Sequence, residues 1–217
     1  MRERRRGAVE CVPLIVNCHT GADSFTFDEN LALFRHCWTG IPFCHELHRG
    51  RALYNTAQTL CFQRECPTLR VNADFSQWQV VHESDDPQAH SDAFLAAIDR
   101  AWHIHARVCF GTTCSRSSGA GMLGATWNLS GVVALHSRRA PVTGGEFLTV
   151  APEFGPKPHM PIVACLPQPV ADGRDINCWM RRYVSTTLSE ILKSRAVFGS
   201  NEPICVRLSR GSGIAHD

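Results

Sequence analysis

Long apolar runs are missing from this 217-residue chain. None approaches the roughly 20 residues that cross a bilayer, and Val12 to Val16 is too short for the core of a signal peptide. Neither a membrane span nor an export leader is therefore expected, and the protein is read as cytoplasmic. A strong charge of one sign is missing too: 22 Lys and Arg against 20 Asp and Glu leave a formal +2, too weak a field to gather nucleic acid or a membrane surface. Basic residues cluster only in Arg2, Arg4, Arg5 and Arg6, which reads as a solvated tail over residues 1–7. There is no internal repeat, low-complexity run or long linker, so 8–217 is expected to be a single domain.

What is present is ordinary for a globular protein, with 44% hydrophobic and 19% charged residues. The 11 cysteines are odd in number and irregularly spaced, which points to reduced, mostly buried thiols rather than a disulfide framework. Strand-like runs alternate with helix-like ones. Val9 to Asn17 reads as a buried strand, and Asp28 can cap a helix over Glu29 to Trp38. A second helix is predicted over His45 to Cys61, weakened by Gly50. Trp78 to His82 reads as a strand. Pro87 starts a helix that carries Phe94, Leu95, Ile98 and Trp102 at helical spacing.

Arg107 to Gly111 follows as a short strand, Ser115 to Gly124 as a Gly/Ser loop, and Ala125 to Leu135 as extended chain. Phe147 to Val150, Pro161 to Leu166 and Ile204 to Leu208 are further strands, and Tyr183 to Arg195 a helix. Such alternation argues for an α/β fold. In α/β sheets chemistry gathers at the carboxyl ends of the strands, where the run Pro161 to Pro167 carries Cys165.

Four segments in order carry a resemblance to a known family. They are Pro13-Leu14-Ile15-Val16-Asn17; the passage from Gln77 to Phe110; Gly155-Pro156-Lys157-Pro158-His159-Met160 with the strand to Cys165; and Tyr183-Val184-Ser185-Thr186 with Ser194-Arg195 and Gly199-Ser200. Their order and spacing resemble the caspase family. The resemblance implies a three-layer sandwich with a central, mostly parallel sheet and helices on both faces. It divides the chain into a large-subunit-like part, 8–170, and a truncated small-subunit-like part, 171–217. It also implies Cys165 as the nucleophile position and Arg195 and Arg35 as substrate-binding residues.

The chain departs from that family at the chemistry. Pro167 replaces the glycine whose amide would serve an oxyanion hole. The window 110–121, where the partner histidine of Cys165 belongs, holds none; His105 and His136 flank it. The resemblance thus implies a non-catalytic, caspase-like regulator in apoptosis or a related pathway. It would pair through a sheet edge with an active caspase, as a heterodimer, or with another copy of itself. No cofactor and no metal are expected.

Two alternatives stay open: a cysteine endopeptidase using Cys165 with His105 or His136 as a relocated base, and a structural zinc module built from His36, Cys37, Cys44, His45, His48, Cys61 and Cys66. Three other motifs read as chance. Gly119 to Gly124 matches G-x-G-x-x-G without a following helix. Leu33 to Cys37 lacks the glycine of an Arg-His-Gly motif, and Asn177-Cys178-Trp179 has too little chain after it for a papain-like histidine strand.

Overall fold

The computed structural model describes residues 13–36, 42–83, 91–107, 147–155, 168–169, 171–197 and 205–208. Among the described residues, six strands form one sheet: β1 (Val16–Cys18), β2 (Phe43–Glu46), β3 (Val71–Ala73), β4 (Ala101–Ala106), β5 (Phe147–Pro152) and β6 (Cys205–Leu208). Five helices accompany them: α1 (Phe27–Arg35), α2 (Thr56–Glu65), α3 (Phe75–His82), α4 (Ser91–Asp99) and α5 (Gly173–Val197). The fold is α/β, as expected.

Every strand pairs parallel with its neighbour in sequence, in the order β1-β2-β3-β4-β5-β6. The order never reverses. Right-handed crossovers in one direction lay successive helices on one face of the sheet, whereas helices on two faces need a point where the strand order turns back. A single core cluster accordingly joins Leu31 and Phe34 of α1, Phe62 of α2, Trp78 of α3, Ile98 of α4 and Met180, Val184 and Leu188 of α5 to Val71, Ala73, Ile104, Ala106, Leu148 and Val150 of the strands. Among the described residues the helices thus cover one face of the curled sheet rather than the two that were expected. This is the winding used by (β/α) barrels, whose chemistry sits at the carboxyl ends of the strands.

A two-residue period sorts the strand side chains between the faces. Val71 and Ala73, Ile104 and Ala106, and Leu148 and Val150 belong to the apolar core beneath the helices. The alternate positions, Asn72, His103, His105 and Thr149, are polar and mostly buried on the other face, where Thr149 Oγ1 meets His103 Nδ1 at 2.6 Å.

Local chemistry explains where the helices start. Thr26, rather than Asp28, caps α1: its backbone N–H donates to Glu29 Oε2 at 2.9 Å and its hydroxyl accepts from the Glu29 N–H at 3.3 Å. Asn55 caps α2, accepting from the Gln58 N–H at 2.8 Å. The helix predicted over His45 to Cys61 therefore begins only at Thr56. His45 and Glu46 belong to β2 instead, and between the two elements Gly50 turns at φ 74°. Trp78 to His82 is not a strand but part of α3, capped by Asp74, with the Phe75 ring stacked 4.0 Å from Phe94 of α4. Trp102 does not extend α4; it lies in β4 with the Arg70 guanidinium 3.7 Å above its ring. β5, β6 and α5 lie where strands and a helix were expected, with α5 longer at both ends. The stretches Arg107 to Leu135 beyond Arg107 itself, and Pro161 to Leu166, lie outside the described residues. No described helix is long and apolar enough to cross a membrane.

A candidate metal centre at the strand ends

Four consecutive strands each deliver one metal-binding side chain at the same end. Glu46 is the last residue of β2, Asp74 follows β3, His105 is the second-last residue of β4, and Glu153 follows β5. One donor atom from each lies within 4.8 Å of the others. The parallel register produces this convergence: Glu46 pairs with Asn72, and His105 with Ala151, so the strand ends draw level.

Asp74 and Glu46 are positioned from behind by hydrogen bonds. Asp74 is fully buried. Its Oδ1 accepts from the Ser76 N–H at 3.2 Å and from the Ser76 hydroxyl, and its Oδ2 from Gln77 Nε2 at 3.4 Å, so the cap of α3 also aims the carboxylate. Glu46 Oε2 accepts from Asn17 Nδ2 of β1 and, at 3.4 Å, from Asn72 Nδ2 of β3. Glu153 sits beside a clamp: Asn177 of α5 accepts from the Phe154 N–H at 2.9 Å and donates to the Phe154 carbonyl at 3.0 Å. Arg107 Nη1 stands 3.9 Å from Glu153 Oε2.

The cluster is electrostatically crowded. His105 Nδ1 is 2.9 Å from Glu153 Oε2 and 3.7 Å from Glu46 Oε1. The nearer contact is an ion pair outside hydrogen-bond angles, and both atoms are buried without a hydrogen-bond partner. Like charges 4 Å apart repel by about 4 kcal/mol at an effective dielectric near 20, so positive charge beside the three carboxylates is favoured. His105 supplies part of it. Burial opposes its protonation, but Glu153, Glu46 and Asp74 together raise its pKa to about 9. Burial pushes Asp74 up to about 6 against the pull of His105. Glu46 falls to about 2, since His19 and His105 outweigh the cost of burying its charge. A divalent ion in place of the His105 proton would neutralise the group more fully. Three carboxylates with one imidazole suit manganese- or zinc-type cations better than an all-oxygen calcium cage.

Among the described residues, His105 is the expected site residue that belongs to this cluster. Cys165, His136 and the window 110–121 are outside the described residues. Arg35 is exposed at the end of α1, its guanidinium 3.6 Å from Glu65 of α2, on the helical layer rather than at the strand ends. Arg195 lies in α5. His105, read as a substitute base, joins the carboxylate cluster. The zinc set does not converge among its described members. Cys44 and His45 point to opposite faces of β2, Cys61 is exposed on α2, and Cys66 is buried at the end of that helix. Burial raises the Cys44 thiol, and raises Cys18 to about 11, which leaves both poor metal ligands or nucleophiles.

Glu46 and Asp74 went unremarked in the sequence because Glu46 falls in a stretch read as helix and the strand before Asp74 was not recognised, while Glu153 lies just beyond a strand that was. The signal was there in the strings FCHE, VNAD, AWHIHA and FLTVAPE, each a strand with an acid or histidine at or just beyond its carboxyl end. Comparison with protein-family models, curated proteins and solved structures finds no match to this chain.

Proposed function

We propose that the protein is a divalent-cation-dependent enzyme that shifts a proton within a small hydroxy-carbonyl compound of the sugar type, an isomerase or epimerase. The observation that carries this reading is the convergence of Glu46, Asp74, His105 and Glu153 within 4.8 Å at the ends of four successive parallel strands. Glu46, Asp74, His105 and Glu153 would hold the ion, which would leave room for substrate oxygens beside it. The ion would polarise a carbonyl as a Lewis acid.

The protein's own groups do the rest. Asp74, held by Ser76 and Gln77, serves as a fixed ligand. Glu153, with a side chain 26% exposed against 3% for Glu46, is the carboxylate best placed to meet substrate. It takes the proton from the hydroxyl-bearing carbon beside the carbonyl and returns it to the former carbonyl carbon, while the hydroxyl proton passes to the former carbonyl oxygen, so the reaction is redox-neutral and balanced.

The test is a panel of aldoses, ketoses and related hydroxy-carbonyl compounds incubated with manganese-loaded protein in deuterium oxide. Solvent deuterium entering a carbon–hydrogen position, in wild type and not in Glu153→Gln, supports the reading. Hydrolysis of phosphate esters without any exchange would replace it. The regulatory reading, in which the chain binds an active caspase or a copy of itself, rests on the family resemblance alone, and the non-reversing strand order lends it no support.

A further inference from the structure

A second cluster shares a residue with the first. His19 follows β1 and His48 lies two residues beyond β2, and their donor atoms lie within 4.8 Å of Glu46 and of one another. His19 Nε2 is 3.1 Å from Glu46 Oε1, and the two imidazoles stand 4.4 Å apart, inclined at 35°. His48 Nδ1 lies 2.6 Å from the Arg49 carbonyl oxygen. A carbonyl only accepts, so Nδ1 carries the proton and Nε2 presents its lone pair. Metal-binding histidines are fixed by their surroundings in this same way.

The two loops are built to hold these rings. Gly21 turns at φ 66°, where a Cβ would lie 2.0 Å from Asn30 Oδ1. That Asn30 amide brackets the loop, accepting from the Ala22 N–H at 3.2 Å and donating to the Ala22 carbonyl at 2.9 Å. The Ala52 N–H donates to the Thr20 carbonyl at 3.2 Å, tying the loop after β1 to the loop after β2.

From this geometry, and resting on the metal-dependent reading above, we propose that His19, Glu46 and His48 bind a second divalent cation, so that Glu46 bridges a two-metal centre. Two imidazoles and one carboxylate form the ligand set of open catalytic zinc sites, in which a fourth position holds water. His19, with a side chain 40% exposed, marks the side from which ion and water enter. The two sites differ in character: the first is oxygen-rich and enclosed, the second nitrogen-rich and open.

The experiment is elemental analysis and zinc titration of chelator-stripped, folded protein, for wild type and the single variants His48→Ala, Glu153→Gln and Glu46→Ala. Circular dichroism verifies folding, and because His48 is only half-buried in a loop its loss should not unfold the chain. The proposal expects two zinc ions per chain in wild type, one in His48→Ala, one in Glu153→Gln and none in Glu46→Ala. In manganese-loaded wild type, paramagnetic resonance should show coupled ions, and in His48→Ala an isolated ion. One ion in wild type that persists in His48→Ala and disappears in Glu153→Gln overturns the second site and leaves the first standing. One ion that disappears in His48→Ala and persists in Glu153→Gln overturns the first reading instead. No zinc in wild type overturns both.

Discussion

The same strands present two opposite surfaces, and the contrast between them divides stability from chemistry. Beneath the helices, Ile104, Val150 and Phe62 are essentially buried among apolar neighbours, and Phe62 packs between Phe27 at 4.5 Å and Phe34 at 5.0 Å. One residue away along each strand, the other face collects Glu46, Asp74, His103 and His105. The apolar face gains from burial, while the polar face carries a Coulomb and desolvation penalty that a bound cation would relieve. Removing side chains from the first should cost folding without touching cation binding. Removing them from the second should cost cation binding while folding persists.

The largest effect expected on the polar face is functional. Asp74→Asn should abolish cation-dependent turnover, read as exchange of solvent deuterium into substrate. In chelator-treated protein it should raise the melting temperature, because the folded state no longer carries a buried carboxylate whose pKa burial has raised to about 6. The gain at neutral pH is on the order of 1–3 kcal/mol. A substitution that destabilises the cation-free protein and leaves turnover intact would erase the distinction between the two faces.

On the apolar face, Phe62→Ala should lower stability by about 3–5 kcal/mol in denaturant unfolding, with the cation stoichiometry of the remaining folded protein unchanged. The acid limb comes next. Burial lowers His45 and His103 to about 4 from an ordinary 6.5, so the unfolded chain binds protons that the folded one refuses. Their contribution to stability is complete above pH 6.5 and is lost as the pH falls towards 4. At pH 5 the loss is about 2 kcal/mol for each histidine. Unfolding of cation-free protein followed from pH 7 to pH 5 measures it, and His103→Gln should make that limb shallower. The smallest effect sharpens the comparison from outside both faces: Thr26→Ala removes the cap of α1 and should cost about 1 kcal/mol in thermal unfolding, with neither cation affinity nor turnover altered.

The sequence was legible where propensity and burial agreed. Phe147 to Val150, Ile204 to Leu208 and the helix around Tyr183 to Arg195 are apolar runs or helix-formers in the expected places, and the α/β class follows from them. It was misleading where tertiary contact overrode local preference. The β-branched and aromatic residues of Trp78 to His82 suggest a strand, but Asp74 caps them into a helix that Phe94 and the core hold in place. Phe43 to Glu46 has too many polar residues for an obvious central strand, because one of its faces serves the site. The winding direction of the sheet is invisible to local pattern, since the period of a strand does not say which neighbour it will join. The site was hidden for the same reason: Glu46, Asp74, His105 and Glu153 are far apart in the chain and become one group only when four strand ends align.

The central claim is most directly tested by calorimetric titration of manganese into chelator-stripped protein, comparing wild type with Asp74→Asn and Glu153→Gln. The account predicts saturable binding in wild type, with affinity lowered at least tenfold in each variant while circular dichroism shows all three folded. Equal binding in all three proteins, or none in folded wild type, would contradict it.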